Sequence, residues 1–167
     1  MVLFEISQPL PQLPRPVTGP VEQAIGSHCA GLIRDGDTLE LGIGAIPDAV
    51  LQFFGDKKDL GIHTEMFSDG VVELIEAGVI TNRKKTINLR VCVATFLMGS
   101  DKLYKYVDNN AAVEMHPIDY TNDSRVIAAH DNFVAISSAL QVDLTGQVCA
   151  ESLSGRQFFG VGGQVNQ

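Results

Sequence analysis

The sequence predicts an α/β domain: a mixed, mostly parallel β-sheet flanked by helices. Three observations predict it. Short apolar runs alternate with stretches whose apolar residues recur at helical spacing. At Gly42–Ala45 a strand runs through a glycine-rich turn into a helix, as in open α/β sheets. Near the end, two strands flanking Thr145-Gly146-Gln147 read as an antiparallel hairpin, which makes the sheet mixed.

Taken in order, the chain opens on residues 1–20, with prolines at 9, 11, 14, 16 and 20. Proline there forbids a helix interior or a central strand, so the segment reads as an extended arm or interdomain linker. The domain proper is expected over 21–167. Val21, Ala24, Ile25, Cys29, Leu32 and Ile33 form one helical stripe, closed by the Arg34-Asp35-Gly36-Asp37 turn. Thr38–Leu41 is a short strand. Pro47 suits the first turn of the next helix, which runs to about Gly55. An extended segment from Gly61 ends at Glu65. Ser68 and Asp69 are helix-starting residue types, and Val71, Val72, Leu74 and Ile75 follow at helical spacing toward Gly78. Val91–Met98 is a continuous apolar run that reads as a strand buried on both faces. A short helix over 101–107 and a strand over 113–116 come next. A polar turn over 119–124 feeds a helix from Arg125 to His130. Residues 132–144 alternate as one strand, and Val148–Glu151 pairs back on it.

Composition narrows the function classes. The 167 residues suffice for one domain with a sizeable core. A net charge of −8 argues against nucleic acid or an anionic membrane as the main partner. No apolar run approaches the roughly 20 residues of a membrane span, and Met1–Gln12 lacks the basic region of a secretory signal. Three cysteines without C-x-x-C spacing read as reduced thiols in a cytoplasmic protein. The four histidines show no metal-ligand spacing, so no metal is expected.

Four places carry candidate chemistry. Glu65 ends an extended segment just before a helix, where α/β sheets bind ligands, and a carboxylate there can act as nucleophile, acid or base. The turn Gly42-Ile43-Gly44-Ala45 permits close approach of a ligand and presents a helix N-terminus to an anion, or else is simply a tight turn. It lacks the third glycine of a dinucleotide fingerprint and the Gly-Lys-Ser/Thr of a P-loop. Asn82-Arg83-Lys84-Lys85 is the one basic cluster, either solvated or facing a phosphate. Gly160, Gly162 and Gly163 form a last glycine-rich turn, whose backbone N–H groups either point into a site or belong to a flexible tail.

Five motifs, each weak alone, occur in a specific order: Gly42-x-Gly-Ala-Ile-Pro-Asp-Ala-Val50, His63-Thr-Glu-Met66 with Ser68-Asp-Gly70, Phe96-Leu-Met-Gly99, Gln141-Val-Asp-Leu144 with Gly146-Gln-Val148, and Gly160-Val-Gly-Gly-Gln-Val165. Together they resemble the acetyl-CoA hydrolase/transferase family, nearest its 4-hydroxybutyrate CoA-transferase branch. Members of that family have two similar α/β domains, and this chain resembles most of the second, with the acyl-CoA site lying between the two. The resemblance implies a CoA-transferase-like domain in which Glu65 is the catalytic glutamate. It implies the Asn122 side chain and the Gly163 backbone N–H as oxyanion donors. It places Gly42–Ala45 and the Gly160–Gly162 turn near coenzyme A, which is a substrate and not a bound cofactor. The implied reaction moves coenzyme A from a short-chain acyl-CoA to a carboxylic acid through a glutamyl-CoA thioester.

Two further readings remain beside the enzyme. One is a catalytically silent, truncated domain that binds coenzyme A or self-associates. The other is a nucleotide-binding regulator, resting only on Gly42–Gly44. An apolar face left by an absent first domain predicts a homo-oligomer, or a partner that supplies the missing N-terminal half.

Overall fold

Five short strands set the frame: β1 (Thr38–Leu41), β2 (Gly61–Phe67), β3 (Cys92–Leu97), β4 (Val113–Met115) and β5 (Phe133–Ile136). The computed structural model describes residues 8–158, 160, 162 and 163. Met1–Ser7, and Phe159, Val161 and Gln164 of the last glycine-rich turn, lie outside the described residues, as do Val165, Asn166 and Gln167. The strands pair in the order β4-β3-β2-β1-β5, and every pairing is parallel. The helices are α1 (Pro20–Ala30), α2 (Ala45–Leu51), α3 (Asp69–Glu76), α4 (Asp101–Val107), α5 (Ile118–Thr121) and α6 (Ser124–Ile127). The domain is therefore α/β, with a parallel sheet flanked by helices.

The core forms where α1–α4 cover the sheet. Leu39, Ile62, Phe67, Cys92 and Ala94 from the strands meet Val50, Leu51, Val71, Val72 and Leu103 from the helices. Each large apolar side chain fully buried here contributes about 1.5–3 kcal/mol. Phe54, in the turn after α2, is fully buried in the same cluster.

Several expectations need correction. The stripe assigned to α1 packs only toward its end, where Cys29 lies against the core and Ile33 is buried in it. Val21 and Leu32 are 66% and 78% exposed, and the buried residues of α1 are Gly26 and Ala30. The reason is close helix–helix approach: a Cβ at Gly26 would come within 2.8 Å of the Ala49 backbone in α2. Small residues, not large ones, therefore mark the packed side. The helix itself starts as its sequence directs, with Pro20 in the first turn and the Glu22 carboxylate accepting from the Gly19 N–H at 2.8 Å.

The run 132–144 is not one strand. β5 ends at Ile136, and the chain leaves the sheet through exposed Ser137–Leu140. It then forms β6 (Gln141–Val142), which pairs antiparallel with β7 (Val148–Cys149); β8 (Ser152–Leu153) pairs likewise with β9 (Arg156–Gln157). The antiparallel hairpin is present but lies apart from the five-stranded sheet. Along β3, burial holds only for Cys92–Ala94, and Phe96 and Met98 become exposed at the carboxyl end. The turn over 119–124 contains a helix, α5, and the helix after it stops at Ile127.

Lys85 departs from the solvated or phosphate-facing role given to the basic cluster. It is buried, and its Nζ donates to the carbonyls of Ile62 and Val91 at 2.8 Å each. Its stem passes over Gly61, where any side chain would collide with it. Burial pushes its ammonium down to about 8. Arg83 and Lys84 stay exposed.

The proline-rich arm runs along α3 and α4 without regular structure over 8–19. Arg15 makes two 2.9 Å bonds to the Glu73 carboxylate, Leu13 N donates to Gly99 O at 3.0 Å, and Tyr104 donates to Pro11 O at 2.8 Å. Among the described residues no helix is long and apolar enough to cross a membrane.

Candidate active site

Side chains alternate along a strand, so His63 and Glu65, two apart on β2, share a face of the sheet. That face is met by α5. His63 reaches the carbonyl of Thr121, the last residue of α5, at 2.9 Å. Asn122 follows as the C-cap of α5, and its Nδ2 donates to Glu65 Oε2 at 2.7 Å. Thr95 lies beside Glu65 on β3 and shares a very short hydroxyl–hydroxyl bond with Thr121. Two alternate residues of β2 are thus matched to two consecutive residues of α5 and its cap.

The last glycine turn closes the group. A Cβ built on Gly163 would overlap both the Asn122 amide and the Glu65 carboxylate, so only glycine fits there. Glu65 is half-buried and Asn122 is buried. Both border a cavity of about 400 Å³, whose wall also includes Ile118, Asp119, Asp123, Gly162 and Gly163. Asp123 is paired with Arg125 at 2.8 Å, which holds its carboxyl well below the usual range, at about 2. Asp123 also accepts from Arg125 N and so starts α6.

The structure brings together three of the expected site residues, Glu65, Asn122 and Gly163, with Gly162 on the same wall. Gly160 has nothing within 4 Å of its Cβ position and does not border this cavity. Gly42, Ile43 and Gly44 border a different cavity of about 250 Å³, together with Met66, Met98 and the arm residues Leu13–Pro16. Gly44 there has φ +117°, which favours glycine strongly. Ala45 begins α2 and is not part of that wall. Met66 therefore links the two cavities in sequence, since Glu65 faces one and Met66 the other. Ser68 caps α3 by position only. Asp69 accepts from the N–H and hydroxyl of Ser100 at 2.9 and 2.6 Å, tying the start of α3 to the turn after β3.

Sequence reasoning did not single out Thr95, Thr121, Ile118 or Asp119, and treated His63 only as a neighbour of Glu65. A signal for Thr95 existed: it is the one polar residue inside the apolar run 91–98. Among the described residues no group of three or more His, Cys, Asp or Glu is placed to hold a metal ion. Cys92 is a poor nucleophile, because burial pushes its thiol up to about 11.

The geometry can be set against known proteins. A sequence model of the acetyl-CoA hydrolase/transferase C-terminal domain matches residues 99–167. The chain is 58% identical over 98% of its length to a 4-hydroxybutyrate coenzyme A transferase of Clostridium kluyveri. It is 44% identical, again over 98% of its length, to a succinyl-CoA:cyclohexane-1-carboxylate CoA transferase of Geobacter metallireducens. It spans 38% of the length of each of these relatives. Among solved structures, a 4-hydroxybutyrate CoA-transferase of Porphyromonas gingivalis superposes with a TM-score of 0.82 at 47% identity, over 86% of this chain and 36% of that one. Residues 99–167 thus match the C-terminal domain of the acetyl-CoA hydrolase/transferase family, and nearly the whole chain is similar to coenzyme A transferases.

Proposed function

We propose that this domain moves coenzyme A between a short-chain acyl-CoA, such as acetyl-, butyryl- or 4-hydroxybutyryl-CoA, and a carboxylic acid, with Glu65 as the covalent carrier. The observation that carries the reading is the 2.7 Å bond from Asn122 Nδ2 to Glu65 Oε2, with Gly163 abutting both groups. That bond occupies Oε2 and leaves Oε1 to attack. In the first step Oε1 adds to the thioester carbonyl, the C–S bond breaks, and an acyl-glutamyl anhydride and coenzyme A thiolate form. The thiolate then adds to the glutamyl carbonyl, the bond to the acyl carboxylate breaks, and a glutamyl-CoA thioester remains. A second carboxylate reverses both steps and departs as the new acyl-CoA.

Each addition creates a tetrahedral oxyanion that needs donors already in position. When the glutamyl carbonyl is attacked, Oε2 itself becomes the oxyanion. The Asn122 N–H then donates to a full negative charge, and such bonds are about twice as strong as neutral ones. The Gly163 N–H is the second donor in this reading. The turn at Gly42–Gly44 and its cavity are assigned to coenzyme A. The reduced thiols and the chemistry together suit the cytoplasm.

A second reading is a silent module that binds coenzyme A or self-associates, with further chain or a partner needed for turnover. The exposed apolar residues Val17, Val21, Ile25 and Leu32 favour it. The two readings separate on isotope exchange. A covalent carrier moves label from free acetate into acetyl-CoA, and Glu65→Gln lowers that exchange at least ~10⁴-fold, as removal of a nucleophile does. Thermal stabilisation by coenzyme A without any exchange supports the silent module instead.

A further inference from the structure

We infer that His63 is a positioning residue for the Glu65–Asn122 pair: by holding the Thr121 carbonyl it fixes the end of α5 against β2, and so sets where the next side chain delivers its amide. The inference rests on the proposed role of Glu65 and extends it to the element that aims the donor.

α5 has four residues, a single turn, and an isolated turn of helix is unstable in water. Its position must come from bonds to the rest of the fold. The carbonyl of Thr121 lies at the helix C-terminus, where carbonyls have no partner within the helix. His63 supplies that partner from β2 at 2.9 Å. A carbonyl only accepts, so Nε2 carries the proton and Nδ1 is bare, and Nδ1 has no partner among the described residues. The ring is 1% exposed and packs edge-on against His130, with centroids 4.9 Å apart, so it has little freedom to turn. Thr95 holds the same residue through its hydroxyl. Both ties act on residue 121, and the amide that touches Glu65 belongs to residue 122. Release of this end lets the Asn122 amide drift, and a displacement near 1 Å costs about 10²-fold in rate.

A buried histidine that only fills space is the alternative, and substitutions of equal polarity separate the two. The Gln side chain carries its N–H where Nε2 stands, within reach of the Thr121 carbonyl. Asn carries it where Nδ1 stands, which is too short. His63→Met keeps the volume without a donor. In acyl-CoA:acetate exchange with butyryl-CoA, His63→Met and His63→Asn are expected to lower kcat about 10- to 100-fold with KM unchanged, and His63→Gln to recover most of it. The NMR signals of the Asn122 side-chain amide, recorded without substrate, are expected to move in the Met and Asn variants and to stay near wild type in Gln. If His63→Met fails to fold, the Gln and Asn pair decides alone. Equal rates and an unmoved Asn122 signal in folded Gln and Asn variants overturn the inference. A wild-type domain that catalyses no exchange defeats the proposed transfer chemistry, and the Asn122 signal then decides the positioning role by itself.

Discussion

The two sides of the β2 region are built on different principles. On one side α1–α4 press Leu39, Ile62, Val71, Val72 and Phe54 into a dry core with many interchangeable contacts. On the other, the short α5 and its cap meet β2 and β3 through a few polar bonds, His63 to Thr121, Thr95 to Thr121, and Asn122 to Glu65, and Gly163 abuts the last pair. The first side holds the fold and the second holds a geometry. Damage to the core should therefore lower stability and spare chemistry per folded molecule, whereas damage to the polar side should do the reverse.

The largest effect expected from breaking this contrast is on the core. Phe54→Ala should cost about 3–5 kcal/mol in urea unfolding, with the exchange rate per folded molecule preserved. A large loss of rate in the folded fraction would erase the distinction. Next is Asn122→Ala, which should lower exchange about 10²–10³-fold while the unfolding midpoint barely moves. Gly163→Ala should resemble it, because the new Cβ meets the Asn122 amide and the Glu65 carboxylate.

Acid acts on stability, through a buried imidazole that takes no part in those polar bonds. Burial first, then the neighbouring His63 and Lys85, hold His130 down at about 4, against the opposing pull of Asp131, and neither of its ring nitrogens has a partner among the described residues. Burial also lowers His63, against the pull of the Thr121 carbonyl. The unfolded chain thus binds a proton that folded His130 refuses. The stability present above pH ~6.5 is lost as the pH falls toward 4, by about 3 kcal/mol for His130. His130→Phe removes that component, so its unfolding free energy should fall less steeply with acid than the wild type's. Parallel curves would contradict the assignment. The smallest effect is expected on the arm: Arg15→Ala breaks a half-exposed pair with Glu73 and should cost about 0.2–1 kcal/mol.

The same contrast explains what could be read in advance. β1, α4 and the start of α3 were legible because local apolar spacing and starting residues determine them. The packed face of α1 was legible only at Cys29 and Ile33, because its close approach to α2 depends on Gly26 and not on the apolar stripe. Ile136 and Gln141 looked continuous because alternation persists through exposed Ser137–Leu140, and exposure is not written in the pattern. Lys85 looked solvated because nothing local signals the channel above Gly61. The site was legible mainly through the family resemblance. Glu65 and Asn122 are 57 residues apart, and no local periodicity joins them. Position alone marked Glu65 as one loop carboxylate among many, and α5, which delivers Asn122, was read as a turn.

Mass analysis of the protein after brief reaction with butyryl-CoA and borohydride tests the central claim most directly. The account predicts a reduced side chain confined to the peptide that carries Glu65, absent from Glu65→Gln and strongly diminished in Asn122→Ala. A modification at any other residue, or an equal one in Glu65→Gln, would contradict it.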